Sequence, residues 1–89
     1  MKKLTILEFG ANWCAPCKKM ESMLSEIEKH FGDVVEIKKI DIENDIELTS
    51  KYNIRSVPTL LFFKDNVLKE YSVGLTDFED LKESVGRLI

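Results

Sequence analysis

Two cysteines, Cys14 and Cys17, stand three residues apart and are the only cysteines of the chain. Thiols this close can form and break a disulfide with little movement of the backbone. A bridge across so short a loop contributes little as a structural staple. Two thiolates also fall short of the four ligands of a structural zinc site, and His30 is the only histidine. The spacing therefore predicts thiol–disulfide redox chemistry.

The two thiols are expected to have different roles because a helix is predicted to begin beside them. Apolar residues recur every three or four positions over Pro16–Phe31. Cys14 lies at or just before the first turn, where free N–H groups and the helix dipole favour a thiolate. Cys17 falls on the apolar stripe with Met20 and Leu24, so it should be more buried and less acidic. We predict that Cys14 attacks a substrate disulfide and that Cys17 resolves the mixed disulfide.

A third candidate, Glu8, interrupts the otherwise apolar segment Leu4–Phe9, which is predicted to be a strand. A carboxylate there costs free energy unless it is paired or protonated. One interpretation is a buried acid with a raised pKa that takes the proton of Cys17. The other is a glutamate at a strand end that reaches solvent. Lys39, on the next predicted strand, is expected either to pair with Glu8 or to be an ordinary solvated lysine.

The elements that must position these residues follow one another in the order β-α-β-α-β-β-α. The first two strands should be parallel, because a helix crosses between them. The third and fourth should form a hairpin, because Asp65 and Asn66 tolerate the positive φ of a tight turn. The last helix is expected to start with a capping box over Thr76–Glu79. The remaining predicted elements are strands at Val34–Ile42, Thr59–Phe63 and Val67–Val73 and a short helix at Asp45–Tyr52.

Composition and charge exclude several classes of function. The 89 residues, 44% hydrophobic and 33% charged, predict one folded domain spanning residues 1–89. Thirteen basic minus sixteen acidic residues give a net charge of −3, which disfavours a nucleic-acid partner. No apolar stretch is long enough to span a membrane, and no targeting segment is visible. We therefore expect a cytoplasmic protein, with a cysteine pair that stays reduced unless it is working.

Three segments together resemble the thioredoxin family, and they are Phe9–Lys18, Lys51–Leu60 and Val73–Gly74. The resemblance implies an α/β thioredoxin-like fold in a short form, with a four-stranded mixed sheet flanked by helices. The first strand and helix of the family are expected to be missing. Gly10 stands where an aromatic residue is common in the family, and Glu8 stands where aspartate is usual.

The resemblance also implies roles for individual residues. Cys14 and Cys17 match the attacking and resolving thiols, and Glu8 and Lys39 match the buried acid and its neighbouring lysine. Pro58 matches a cis-proline that helps to hold extended substrate. Val57 matches a residue whose backbone pairs with a substrate strand. The rim of the substrate groove corresponds to Trp13, Ala15, Pro16, Val73 and Gly74.

The function that this resemblance implies is reduction of protein disulfides. The expected partners are disulfide-containing proteins and a flavoprotein of the thioredoxin-reductase type, with the chain acting as a monomer. No bound cofactor or metal is expected beyond the redox-active Cys14–Cys17 disulfide. Two alternatives remain open: a glutaredoxin-like enzyme that uses glutathione, and a binding module on the same scaffold in which the cysteines are incidental.

Overall fold

The computed structural model describes residues 3–89 and shows the predicted order of elements, with bounds that differ by one or two residues. A short 3-10 turn at Gly32–Val34, which was not predicted, joins the first helix to the second strand. No helix within residues 3–89 has the length and apolar character needed to cross a membrane. The elements are β1 (Leu4–Gly10), α1 (Ala15–Phe31), β2 (Val35–Asp41), α2 (Ile46–Lys51), β3 (Thr59–Lys64), β4 (Val67–Val73) and α3 (Phe78–Leu88).

The strands form one mixed four-stranded sheet in the order β2-β1-β3-β4. β1 pairs with β2 in parallel and with β3 antiparallel, and β3 and β4 form the expected hairpin. The hairpin turn uses Asp65 and Asn66 at φ 55° and 66°. Because β1 has a neighbour on each side, Glu8 lies inside the sheet, opposite Lys39 on β2 and Leu60 on β3.

The main core lies between one face of the sheet and the helices α1 and α3. Its α1 residues recur at helical spacing, so one stripe of the helix is buried. Fully burying a side chain of this type contributes about 1.5–3 kcal/mol, so this stripe anchors α1 against the sheet. The buried residues of this cluster are Leu4, Ile6, Met20, Leu24, Ile27, Val35, Leu60, Phe62, Leu81 and Val85.

The opposite face of the sheet is covered less completely. Thr5 and Leu7 on β1 are only half-buried there. The apolar sequence of β1 suggests burial on both faces of the strand, and only one face is fully buried. The aromatic ring of Tyr52, at the end of α2, meets Phe9 and Phe63 edge-on at centroid distances of 6.4 and 5.7 Å. Phe9 lies near the end of β1 that leads to the cysteines, and Phe63 lies opposite Thr5 near its start, so Tyr52 covers the middle of this face.

Aspartate side chains cap the N-termini of α2 and α3, and one of the predicted caps is wrong. The carboxylate of Asp45 caps α2 by accepting from the Leu48 N–H at 3.1 Å. At α3 the expected cap, Thr76, is wrong, because Asp77 caps the helix and accepts from the Asp80 N–H at 2.8 Å. An aspartate carboxylate is at least as good an N-cap as a threonine hydroxyl, and here it lies next to the first helical residue.

Candidate active site

The cysteine pair lies where β1 passes into α1. Cys14 is the N-cap residue of α1, and its Sγ accepts a hydrogen bond from the Cys17 N–H at 3.2 Å. Its own N–H donates to the Ala11 carbonyl at 3.1 Å, which closes the preceding loop. Pro16 follows in the first helical turn, where its missing N–H is not needed. The thiol expected to be nucleophilic therefore stands at the positive end of the helix dipole.

Cys14 and Cys17 are joined as a disulfide, with their Cα atoms 5.3 Å apart. Cys14 is 4% exposed and Cys17 is 2% exposed, so the expected contrast in burial is small in this state. Trp13, the residue that precedes Cys14, is 67% exposed.

The other two segments of the resemblance reach the same end of the sheet. Thr59, the first residue of β3, pairs with Phe9 on β1 and with Val73 on β4. Val57 and Pro58 immediately precede Thr59, and Gly74 immediately follows Val73. The Gly74 N–H donates to the Pro58 carbonyl at 2.7 Å, which ties the two loops together. The sheet register therefore places these residues at the edge where the Cys14 loop leaves β1.

The Val57–Pro58 peptide bond is cis, as the resemblance implies. Pro58 is buried, Val57 and Gly74 are half-buried, and the remaining members of the expected groove are exposed. We call these residues the substrate rim, after the role that the resemblance implies for them. The substrate rim consists of Trp13, Ala15, Pro16, Val57, Pro58, Val73 and Gly74.

Glu8 lies on β1, two residues before Gly10, and is 3% exposed. Of the two interpretations of this residue, the structure has the buried one. Burial, assisted by the negative charge of Glu21 and partly offset by the positive charge of Lys39, raises the pKa of Glu8 to about 7. A carboxyl group with this pKa exchanges a proton readily near neutral pH.

Of the two alternatives for Lys39, a pair with Glu8 and a solvated lysine, the structure is nearer to the second. Lys39 lies opposite Glu8 in the β1–β2 register, but its Nζ pairs with Glu21 Oε1 at 2.6 Å. The hydrogen bond to Glu21 is the main reason that the pKa of Lys39 is raised. Lys39 is 66% exposed and Glu21 is 37% exposed, so this pair keeps much of its hydration, which a pair with buried Glu8 would lose.

Sequence reasoning did not single out Glu21, although a signal for it was present. Glu21 follows Cys17 by four residues in α1, so both side chains lie on the same side of the helix. It also stands next to the buried stripe residue Met20. From the margin of that stripe, its side chain reaches Lys39 on β2, the strand beside the one that carries Glu8. We call Glu8, Glu21 and Lys39 the acid pocket.

Two cavities border the acid pocket, and all three of its residues line both of them. One, of about 170 Å³, extends past Gly10 and Asn12. The other, of about 220 Å³, lies further along α1 beside Ser25. Solvent can therefore approach Glu8 from two directions around the Lys39–Glu21 pair.

Gly10 brings the β1 backbone close to the disulfide. A Cβ at this position would lie 3.3 Å from Cys17 Sγ, which is tighter than an ordinary van der Waals contact. The absence of a side chain at Gly10 thus lets β1, the strand that carries Glu8, approach Cys17. Within residues 3–89 there is no cluster of three His, Cys, Asp or Glu side chains suited to holding a metal ion.

Comparison with known proteins agrees with this geometry. Residues 1–87 match the family model for thioredoxin. The thioredoxin of Bacillus subtilis (strain 168) is 39% identical over 84 residues, an alignment that covers 94% of this chain and 81% of that protein. Thioredoxin-1 of Drosophila yakuba is 42% identical over 64 residues, covering 72% of this chain and 60% of that protein.

Solved structures show the same fold. The germline-specific thioredoxin Deadhead of Drosophila melanogaster superposes with a TM-score of 0.89 at 34% identity, covering 98% of this chain and 82% of that one. Thioredoxin-2 of a malaria parasite gives a TM-score of 0.92 at 21% identity, covering 97% of this chain and 84% of that one, and shows the likeness of fold alone. With the Cys14–Cys17 pair in place at the start of α1, the chain belongs to the thioredoxin family and is a thiol–disulfide oxidoreductase.

Proposed function

We propose that the chain reduces protein disulfides, with Cys14 attacking and Cys17 resolving. The Cys14 thiolate bonds to one substrate sulfur, and the other substrate sulfur leaves as a thiolate. Cys17 then bonds to the Cys14 sulfur and releases the first substrate sulfur. Two electrons pass from the dithiol to the substrate, and the protein is left with the Cys14–Cys17 disulfide. The observation that carries this assignment is the position of Cys14 as the N-cap of α1, where its thiolate is stabilised.

Glu8 is proposed to accept the proton of Cys17 during the resolving step. Its burial, its pKa of about 7 and its place on the strand whose Gly10 backbone approaches Cys17 Sγ support this role. Lys39 takes part indirectly, since its positive charge lowers the pKa of Glu8.

The substrate rim is proposed to hold an extended segment of the protein whose disulfide is reduced. Val57 would pair through its backbone with that segment, and the cis Pro58 shapes the same edge. Trp13, 67% exposed, and Val73, 61% exposed, offer apolar surface beside the thiols. Exposed aromatic and apolar groups of this kind are typical of binding surfaces.

The proposed partners are disulfide-containing proteins and a flavoprotein reductase of the thioredoxin-reductase type. The chain is proposed to act as a cytoplasmic monomer, with no bound cofactor and without nucleic-acid or membrane partners. Its net charge of −3 supports the view that nucleic acid is not a partner.

Turnover of a reporter protein disulfide with dithiothreitol as electron donor tests the assignment, with Cys14→Ser as the decisive variant. We expect the wild type to turn over and Cys14→Ser to lose turnover completely, because the hydroxyl cannot replace the thiolate. The matched control is Ser22→Ala, which alters an exposed hydroxyl on the same helix and should leave turnover unchanged. Turnover that survives in Cys14→Ser would refute the mechanism, and a wild type without turnover would favour a binding module.

A further inference from the structure

Charged side chains reach the cavities beside Glu8 from α1 and from β2, whereas the residue opposite Glu8 on β3 is uncharged. α1 presents Lys18, Glu21 and Glu28 to the cavities that border Glu8, and β2 presents Lys39 and Asp41. On β3 the residue opposite Glu8 is Leu60, which carries no charge. Of the five charged groups, Glu21 and Lys39 line both cavities.

Lys39 lies opposite Glu8 in the β1–β2 register, yet its ammonium pairs with Glu21. Their contact of 2.6 Å joins α1 to β2, and both residues line the two cavities that border Glu8. Two consequences follow for Glu8. Lys39 does not donate directly to Glu8, so the ionised carboxylate lacks that stabilisation, and a second negative charge remains beside it.

We propose that Glu21 is a positioning residue for proton transfer at Glu8, because it holds Lys39 away from Glu8 and adds a negative charge to the acid pocket. This inference rests on the proposed role of Glu8 in the resolving step. In that step a proton passes from the Cys17 thiol to a Glu8 carboxylate oxygen. At the same time the Cys17–Cys14 bond forms, and the bond between Cys14 and the substrate sulfur breaks, so that the substrate leaves as a thiolate.

The direction of the effect follows from the charges. With Glu21 present, Glu8 keeps its proton to near-neutral pH and is a stronger base once it is ionised. Without the negative charge of Glu21, Glu8 should ionise at lower pH. Without the whole side chain, Lys39 is also free to pair with Glu8, and the shift should be larger.

Carboxyl titration by carbon-13 NMR, on protein labelled at glutamate, measures this directly for the oxidised full chain. Glu8→Gln identifies the Glu8 signal by its disappearance. In Glu21→Gln we expect the midpoint of that signal to fall by about one pH unit, and in Glu21→Ala to fall further. Glu26→Gln is the matched control, because Glu26 is an exposed residue of the same helix that pairs with Lys29 at 3.5 Å. It should leave the Glu8 midpoint unchanged.

The rate of the resolving step, followed from a preformed mixed disulfide over pH 5–9, provides the functional measurement. Its acidic limb should move to lower pH in both Glu21 variants and stay in place in Glu26→Gln. A merely structural role for Glu21 would change stability without moving either midpoint. An unchanged Glu8 midpoint in both Glu21 variants overturns the inference.

Failure of the proposed role of Glu8 gives a different result. In that case Glu8→Gln retains the acidic limb of the resolving step, whereas the carboxyl titration still responds to Glu21. The two ideas are therefore refuted by separate measurements on the same set of variants.

Discussion

The substrate rim and the acid pocket are built in opposite ways. The substrate rim comes from loops at one end of the sheet, and most of its side chains are exposed and uncharged. The acid pocket comes from β1, β2 and α1, and its central residue, Glu8, is 3% exposed. The substrate rim can present surface to a partner, while the acid pocket holds a titrating group that is largely buried.

This difference separates two requirements of disulfide exchange. Binding an extended substrate needs accessible backbone and apolar surface, which loops can supply. Moving a proton near pH 7 needs a carboxyl group whose pKa is raised, and burial supplies that. The short first turn of α1 connects the two regions, since Cys14 precedes it and Cys17 lies within it.

The largest expected effect comes from removing the resolving thiol. In Cys17→Ser, Cys14 still attacks, but nothing within the chain releases the substrate, so the mixed disulfide should accumulate and turnover should be lost. Mass spectrometry of the protein after mixing with a reporter disulfide measures the adduct. Cys14→Ser serves as the control and should form none. A Cys17→Ser protein that turns over normally would contradict the division of roles between the two thiols.

A second prediction concerns the acid pocket and stability. Unfolded Glu8 releases its proton near pH 4.5, whereas folded Glu8 keeps it to about pH 7. Between these values the unfolded chain binds fewer protons, so this group makes the free energy of unfolding fall as pH rises, by about 3 kcal/mol in total. Glu8→Gln should lack this fall. Denaturant unfolding of the oxidised proteins from pH 4 to pH 8 measures it.

The comparison of interest is the difference between the wild type and Glu8→Gln at each pH, because other groups titrate alike in both. Relative to the wild type, the free energy of unfolding of Glu8→Gln should increase from pH 4.5 to pH 7 and then stay constant. A difference that does not vary with pH would show that Glu8 has no raised pKa in the folded protein.

The smallest effect is expected at the substrate rim. Trp13 is 67% exposed, so Trp13→Ala should change the free energy of unfolding by less than about 0.5 kcal/mol. It should nevertheless raise KM for a protein disulfide about fivefold, the equivalent of about 1 kcal/mol of lost binding, with kcat little changed. Steady-state kinetics with a small disulfide as the control separates binding from chemistry. An equal loss for both substrates would place Trp13 in the chemical step.

Sequence predicted the parts of the molecule that depend on local rules. The order of elements, the parallel pairing of β1 with β2 and the hairpin at Asp65–Asn66 follow from periodicity and turn chemistry, and the structure confirms them. The cis bond before Pro58 depended on the family resemblance, because the base rate alone would not favour it. The substrate rim was predicted as a set because its segments carry recognisable motifs.

Charge pairing in the acid pocket was the part that the sequence did not predict. Lys39 has two carboxylates within reach, and the choice between them depends on hydration and side-chain direction across three elements. The sequence spacing shows neither. The cap of α3 was misassigned for a related reason, since Thr76 and Asp77 are both suitable caps and only the backbone path selects one.

The hydrogen bond from the Cys17 N–H to Cys14 Sγ has a consequence for observing the protein at work. The acceptor of this bond is a disulfide sulfur in the oxidised protein and becomes a thiol or a thiolate on reduction. A hydrogen bond to an ionised acceptor is stronger and shorter than one to a neutral acceptor. The NMR chemical shift of the Cys17 amide proton should therefore report whether Cys14 is in a disulfide, a thiol or a thiolate, without an added label.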